Sequence, residues 1–175
     1  MKPGFFAALI LFAMAMLISV PVQAEPDARF YVAPGLGIGG AGSETGLAYG
    51  LNLTIMSGWT VFSIRAIGCS QIAIFGRTSS SSDYSFLVGF REWTRMEQAS
   101  VELGVGYVQI SKRGEPLVSY AGFFEPSYEQ IHGSAAGLSW QAQFYHRATG
   151  LVIYGNFNKV QSFAGGMFCL RFGRW

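Results

Sequence analysis

Val101-Glu102-Leu103-Gly104-Val105-Gly106-Tyr107 alternates strictly. One face of this stretch is Val101, Leu103, Val105 and Tyr107, and the other is Glu102, Gly104 and Gly106. A repeat of two is the signature of a β-strand, because successive side chains point to opposite faces. The content of the second face is unusual. A strand on the surface of a soluble protein would carry Lys, Thr or Asp there, whereas this one carries glycines and a single carboxylate.

The same pattern recurs in seven other segments. Phe30, Val32, Pro34, Leu36 and Ile38 alternate with Tyr31, Ala33, Gly35, Gly37 and Gly39. Residues 47–56, 62–67, 84–91, 136–144, 151–158 and 167–173 repeat it, each with one large apolar face and one small or polar face. Eight strands of about ten residues match the 9–11 residues needed to cross a bilayer at a tilt. An even number lets an antiparallel sheet close, which removes unpaired edges that lipid cannot hydrate. The fold class expected is an all-β, eight-stranded antiparallel up-and-down transmembrane barrel. In that assignment the apolar faces meet lipid, and Gly, Ser, Asn, Gln, Arg and Glu fill a narrow interior.

Composition agrees. The chain has 175 residues, 50% hydrophobic and only 13% charged, with 23 glycines and a formal charge of +2. Hydrophobicity this high excludes intrinsic disorder, two cysteines exclude a disulfide scaffold, and so small a charge leaves no basic footprint for nucleic acid. Residues 1–24 read as a cleaved signal peptide: Lys2, an apolar run from Phe5 to Val20, then Val22 and Ala24 at the positions a signal peptidase inspects. Residues 25–175 then form one barrel domain. No second apolar run is long enough for a transmembrane helix.

The connections are expected to alternate. Short turns fall at Ser57-Gly58, Arg95-Met96-Glu97 and residues 146–149; longer loops fall at 40–44, 76–83 and 111–129, with a short last one near 159–162. Ser79 to Ser82 reads as a solvated loop tip. Loop 111–129 carries Tyr120, Phe123, Phe124 and Tyr128, aromatics suited either to a surface partner or to packing over the barrel mouth.

These features resemble the small eight-stranded outer-membrane β-barrels of Gram-negative bacteria. The resemblance implies an outer-membrane location, contact with outer-membrane lipid and lipopolysaccharide, and insertion by the barrel-assembly machinery. Such barrels usually end in an aromatic residue. Trp175 supplies one, although the better apolar register is Phe168, Leu170 and Phe172.

Arg65, Arg91, Glu102 and Arg171 fall on the interior face, with Asn52, Gln141, Gln143 and Tyr154. Arg91 and Glu102 lie on consecutive strands and are expected to be neighbours. Buried charges must be paired, so the group reads as a structural plug, or as an anion site if three arginines face one glutamate. His132 and Ser134 share the outward register. A His and a Ser on the outer wall resemble the lipid A deacylases, which implies Ser134 as nucleophile and His132 as its base. The chain departs from that motif, with Ala135 where the family has Asn and His146 where it has Glu. Cys69 and Cys169 fall inward on distant strands, where a bridge is disfavoured. No ligand spacing suggests a metal, and no cofactor is expected. The function expected is a non-enzymatic barrel with a filled polar interior, acting structurally or through its outer loops. The alternatives are a lipid A-modifying hydrolase and a soluble periplasmic barrel enclosing a small apolar ligand.

Overall fold

A strand with one apolar and one polar face can satisfy its backbone in lipid only inside a closed sheet. The computed structural model describes residues 29–41, 44–71, 79–93, 97–116 and 128–174, and it is such a sheet. The strands are β1 (Arg29–Ala41), β2 (Glu44–Ser57), β3 (Thr60–Ser70), β4 (Ser80–Trp93) and β5 (Glu97–Pro116). They continue with β6 (Tyr128–His146), β7 (Thr149–Asn158), β8 (Phe163–Leu170) and β9 (Phe172–Arg174). From β1 to β8 each pairs antiparallel with the next, and β1 closes the barrel by pairing with β2 on one side and with both β8 and β9 on the other. β8 and β9 are one stave interrupted at Arg171, so the barrel has eight staves.

The register fixes its shape. The ladder runs from Phe30 through Ile55, Phe62, Val88, Leu103, Trp140, Gly155 and Ala164, and it returns to β1 at Gly40, ten residues along. Eight strands with that stagger tilt by about 40° and close at a radius of about 8 Å. Each residue then climbs about 2.5 Å along the barrel axis.

The inside-outside alternation follows the sequence pattern throughout. Tyr31, Asn52, Arg65, Leu87, Glu102, Gln141 and Tyr154 are buried, while Leu36, Ile38, Phe90, Val101, Leu103 and Phe168 are more than half exposed. Placed by height, the outward apolar residues form a belt about 25 Å tall, the thickness expected of a lipid-facing band. Phe30, Phe172 and Phe90 mark its lower part, and Tyr49, Tyr84 and Tyr107 its upper part. Glu92, Glu97, His146 and Arg174 fall at or below the lower edge, and Thr45, Ser70, Gln109 and Lys159 above the upper one. The large apolar faces therefore point outward, the opposite of what a soluble barrel with an apolar lumen requires.

Two short turns of the lower end lie among the described residues. Gly58 takes the left-handed conformation that a two-residue hairpin demands (φ 54°), and Arg147 takes it without being glycine (φ 53°). Several sequence expectations about the connections need correction. Loop 40–44 is not long, because β1 runs to Ala41 and β2 begins at Glu44. Ser79 to Ser82 is no solvated tip: β4 begins at Ser80, and Ser79 and Ser81 are buried. Loop 111–129 is shortened from both sides, since β5 continues to Pro116 and β6 starts at Tyr128. Polar residues above the belt keep pairing there because water and the ladder both satisfy them, and no change of pattern marks the strand end. Residues 1–24, Tyr120, Phe123, Phe124, Trp175 and most of the turn at Arg95 and Met96 lie outside the described residues.

The height assignment predicts position-dependent costs. Leu103→Arg, at mid-belt, is expected to destabilise the barrel in lipid vesicles by about 2–4 kcal/mol, and Thr45→Arg, above the belt, by about 0–1 kcal/mol. Equal costs in denaturant titrations would contradict the belt.

Candidate functional sites in the interior and on the outer wall

A lumen of about 8 Å radius brings side chains of opposite walls into contact. Its largest fully buried side chain is Arg65, on β3. The guanidinium donates to Asp83 on β4 through Nε (3.0 Å) and Nη2 (2.7 Å), and both side chains are fully buried. It also spans the barrel, donating through Nη1 to the Trp140 carbonyl on β6 at 2.9 Å, and it lies over the Tyr154 ring at 5.3 Å. Asp83 in turn accepts from Ser85 (2.8 Å) and from Asn156 (2.9 Å). Ser139 bonds to both Ser85 and Asn156, completing the cluster. Gly106 faces it, and a Cβ there would come within 2.2–2.5 Å of Ser139 Oγ, Asn156 Nδ2 and Ser85 Oγ. Glycine on the inner face thus makes room for polar side chains from neighbouring staves.

Glu102 forms a second centre. Its carboxylate accepts from Ser100 (3.0 Å), Gln141 (2.9 Å) and Gln143. Gln143 accepts from Tyr31 and Asn52, each at 3.1 Å, and Gln141 accepts from Arg65 at 3.4 Å. At the lower end Arg171 donates to Gln98 (2.7 Å) and to the Arg147 carbonyl, with its guanidinium 5.3 Å from the Tyr31 ring and 4.9 Å from that of Tyr145. Gln98 bonds weakly to the Tyr31 hydroxyl at 3.5 Å. One hydrogen-bonded chain therefore runs most of the barrel's length, from Asp83 through Arg65, Gln141, Glu102, Gln143, Tyr31 and Gln98 to Arg171.

The structure brings Arg65, Glu102, Gln141 and Gln143 together and places Arg171 at the base of the same chain. Arg91 is elsewhere. Register sets it opposite Ser100, not beside Glu102, and its side chain turns to the lower hairpin, donating to the Gly58 carbonyl (2.8 Å) and lying 3.1 Å from Met56 Sδ. The three-arginine anion site is therefore replaced by a balanced set, with Arg65 and Arg171 against Asp83 and Glu102. Asp83 was missed because residues 76–83 read as a loop. The signal was present, since Asp83 keeps the inward parity of Ser85 and Leu87. Tyr31, Gln98, Ser139 and Asn156 could have been found by the same parity rule. Cys69 and Cys169 are buried free thiols, and Cys69 lies 2.7 Å from the Gly39 carbonyl.

On the outer wall, His132 and Ser134 are exposed on β6, as their register requires. Both stand above the apolar belt, by about 5–10 Å on the height scale. No His132–Ser134 hydrogen bond and no carboxylate against His132 occur among the described residues. His146, which takes the place of the deacylase glutamate, sits at the opposite end of the barrel, 3.9 Å from Glu97. Tyr128 begins β6.

No sequence family and no curated protein sequence matches the chain. Solved structures do. Neisserial surface protein A superposes with a TM-score of 0.54 at 11% identity, covering 83% of this chain and 97% of that one. Ail, the attachment invasion locus protein of Yersinia pestis, superposes with a TM-score of 0.50 at 11% identity, covering 85% and 99%, in a structure with the heparin analogue sucrose octasulfate. The chain thus has the closed eight-stranded antiparallel fold of small outer-membrane barrels.

The buried ion pair yields a double-mutant prediction. Arg65→Met strands the Asp83 carboxylate and is expected to cost about 3–5 kcal/mol, whereas Arg65→Met with Asp83→Leu should recover most of that loss. Additive losses in the two single variants and the double variant, read from unfolding midpoints in vesicles, would contradict the pairing.

Proposed function

We propose that the protein is an integral outer-membrane barrel, non-enzymatic and closed to solutes, which serves structurally and presents its outer end to the surroundings. The observation that carries this reading is the pairing of two faces: an outward apolar belt about 25 Å tall, and a packed interior in which one hydrogen-bonded chain of buried polar side chains runs beside buried apolar ones such as Met56, Leu87, Val152, Phe163 and Met167. The export segment read in residues 1–24 supports the location. The β5–β6 hairpin, which continues above the belt to Pro116 and Tyr128, supports contact at the cell surface. The occupancy of Ail by a heparin analogue makes polyanionic saccharides reasonable first ligands to try on that hairpin.

The test uses the protein extracted from a membrane fraction with detergent. Without heating it should migrate in SDS gels at an apparent mass different from that of the boiled sample, and in planar bilayers it should conduct no ions. Recovery in the soluble periplasmic extract with no heat shift would overturn the membrane reading. Steady channels would overturn the filled interior.

A further inference from the structure

Two hollows of different chemistry meet on the outer wall. The first is a groove of about 710 Å³ crossing the outer faces of β8, β1, β2 and β3 to β4. Pro34 and Ala66 are its small outward residues, the Tyr49 ring lies across Gly68, and Phe168 and Tyr84 flank it. By height it rises from the lower third of the apolar belt to its upper edge, where Ser82 closes it. The second is a notch of about 360 Å³ on the outer faces of β4, β5 and β6. Ser82 lines this one too, with Gln109, His132 and Ser134, and Tyr107 forms its lower edge. The notch begins where the belt ends and reaches about 10 Å above it.

The two hollows share Ser82 in their linings, and the change from apolar to polar falls at the upper edge of the belt, the level where hydrocarbon gives way to headgroups. The groove is continuous with the lipid-facing belt, so in a bilayer an acyl chain fills it. Among the described residues the notch is lined by hydroxyl, amide and imidazole groups, with no Lys, Arg, Asp or Glu. Among the described residues, Ser82, Gln109, His132 and Ser134 spend no side chain on an intramolecular hydrogen bond. Uncharged donors and acceptors beside a tyrosine ring suit a hydroxyl-rich, ring-shaped head, whereas a bare phosphate would call for cations.

We propose that this wall binds one glycolipid of the outer leaflet, an acyl chain lying in the groove and the saccharide head in the notch. His132 and Ser134 are then binding groups for that head. The inference rests on the membrane reading above and deepens it by naming the lipid class and its place on the barrel.

The experiment is native mass spectrometry of the full barrel in detergent micelles, titrated with lipid A, with lipid A stripped of its phosphates, and with phosphatidylethanolamine. One molecule of either lipid A form should be retained in preference to the phospholipid. Gln109→Leu should weaken that retention about tenfold, the effect of losing one or two hydrogen bonds. Ala66→Phe, which fills the groove from an outward position, should weaken it similarly, and Ala142→Phe, on another part of the belt, should leave it unchanged. Equal retention of phosphatidylethanolamine would overturn the proposal, as would loss of binding on removal of the phosphates or indifference to both Gln109→Leu and Ala66→Phe. The SDS heat shift, measured on every variant, separates the two readings. A heat-shifting barrel without lipid preference sinks the glycolipid site alone, and a protein with no heat shift sinks the membrane reading beneath it.

Discussion

Closure of the sheet is the constraint from which the remaining features follow. In a bilayer no water is available for a free strand edge, so the last stave must find the first. Here it does so with a stagger of ten residues, from Phe30 to Gly40, through a ladder that β8 and β9 share against β1. That number sets the tilt, the tilt sets the height each residue gains, and the height decides which outward side chains meet hydrocarbon. It also sets the radius. An interior of about 8 Å has no place for large side chains on every inward position. The inner face must therefore mix glycine with polar groups long enough to reach across, and Gly106 beneath the Ser85–Ser139–Asn156 cluster is that compromise in one place.

The same narrowness governs the charges. An arginine sealed between eight staves is tolerable only if its donors are occupied and a carboxylate is close. Arg65 meets both conditions through Asp83 and the carbonyl of Trp140. Glu102 is compensated differently, by three neutral donors, and it touches the cation only through Gln141. Pairs of this kind add little net stability over an apolar filling, because desolvation offsets most of the attraction. They do penalise any register in which a partner is missing. A one-residue slip of β4 against β3 would turn Asp83 outward into the upper belt and leave Arg65 alone inside. The interior network is thus better read as a device that holds the ten-residue stagger than as a source of binding energy.

Most of the fold was legible because a repeat of two survives whatever the strand faces. The faces of all eight staves followed from residues such as Val101, Glu102 and Leu103, and the choice between lipid and water followed from the poverty of charge. What was not legible has one physical cause. The alternation is enforced only where one side meets hydrocarbon. Above the belt the outward face meets water and carries polar residues, so Ser80, Gln109 and Ser111 look like loop residues although they continue the ladder. The serine run before Asp83 hides its inward parity, so the carboxylate that pairs with Arg65 does not show among the interior charges read from sequence. Arg91 misled for the complementary reason, since parity gives the face of a residue but not its height. At the rim an inward arginine meets the Gly58 carbonyl and not the lumen.

Height also separates the two ends of the barrel functionally. Among the described residues the lower end has two two-residue turns, each with a residue held in the left-handed conformation, and its outward charges sit directly under the phenylalanine girdle. The upper end replaces that abrupt boundary, on the β4–β6 side, with uncharged hydroxyls and amides above a tyrosine girdle. A tyrosine ring offers an apolar body to acyl chains and a hydroxyl to headgroups, so Tyr84 and Tyr107 grade the transition that Phe30 and Phe90 make sharp. A wall graded in this way follows the chemistry of an amphiphile along its length. On the lower side the apolar belt ends at an edge, and on the upper side it ends in a graded surface, the property on which the proposed lipid site rests.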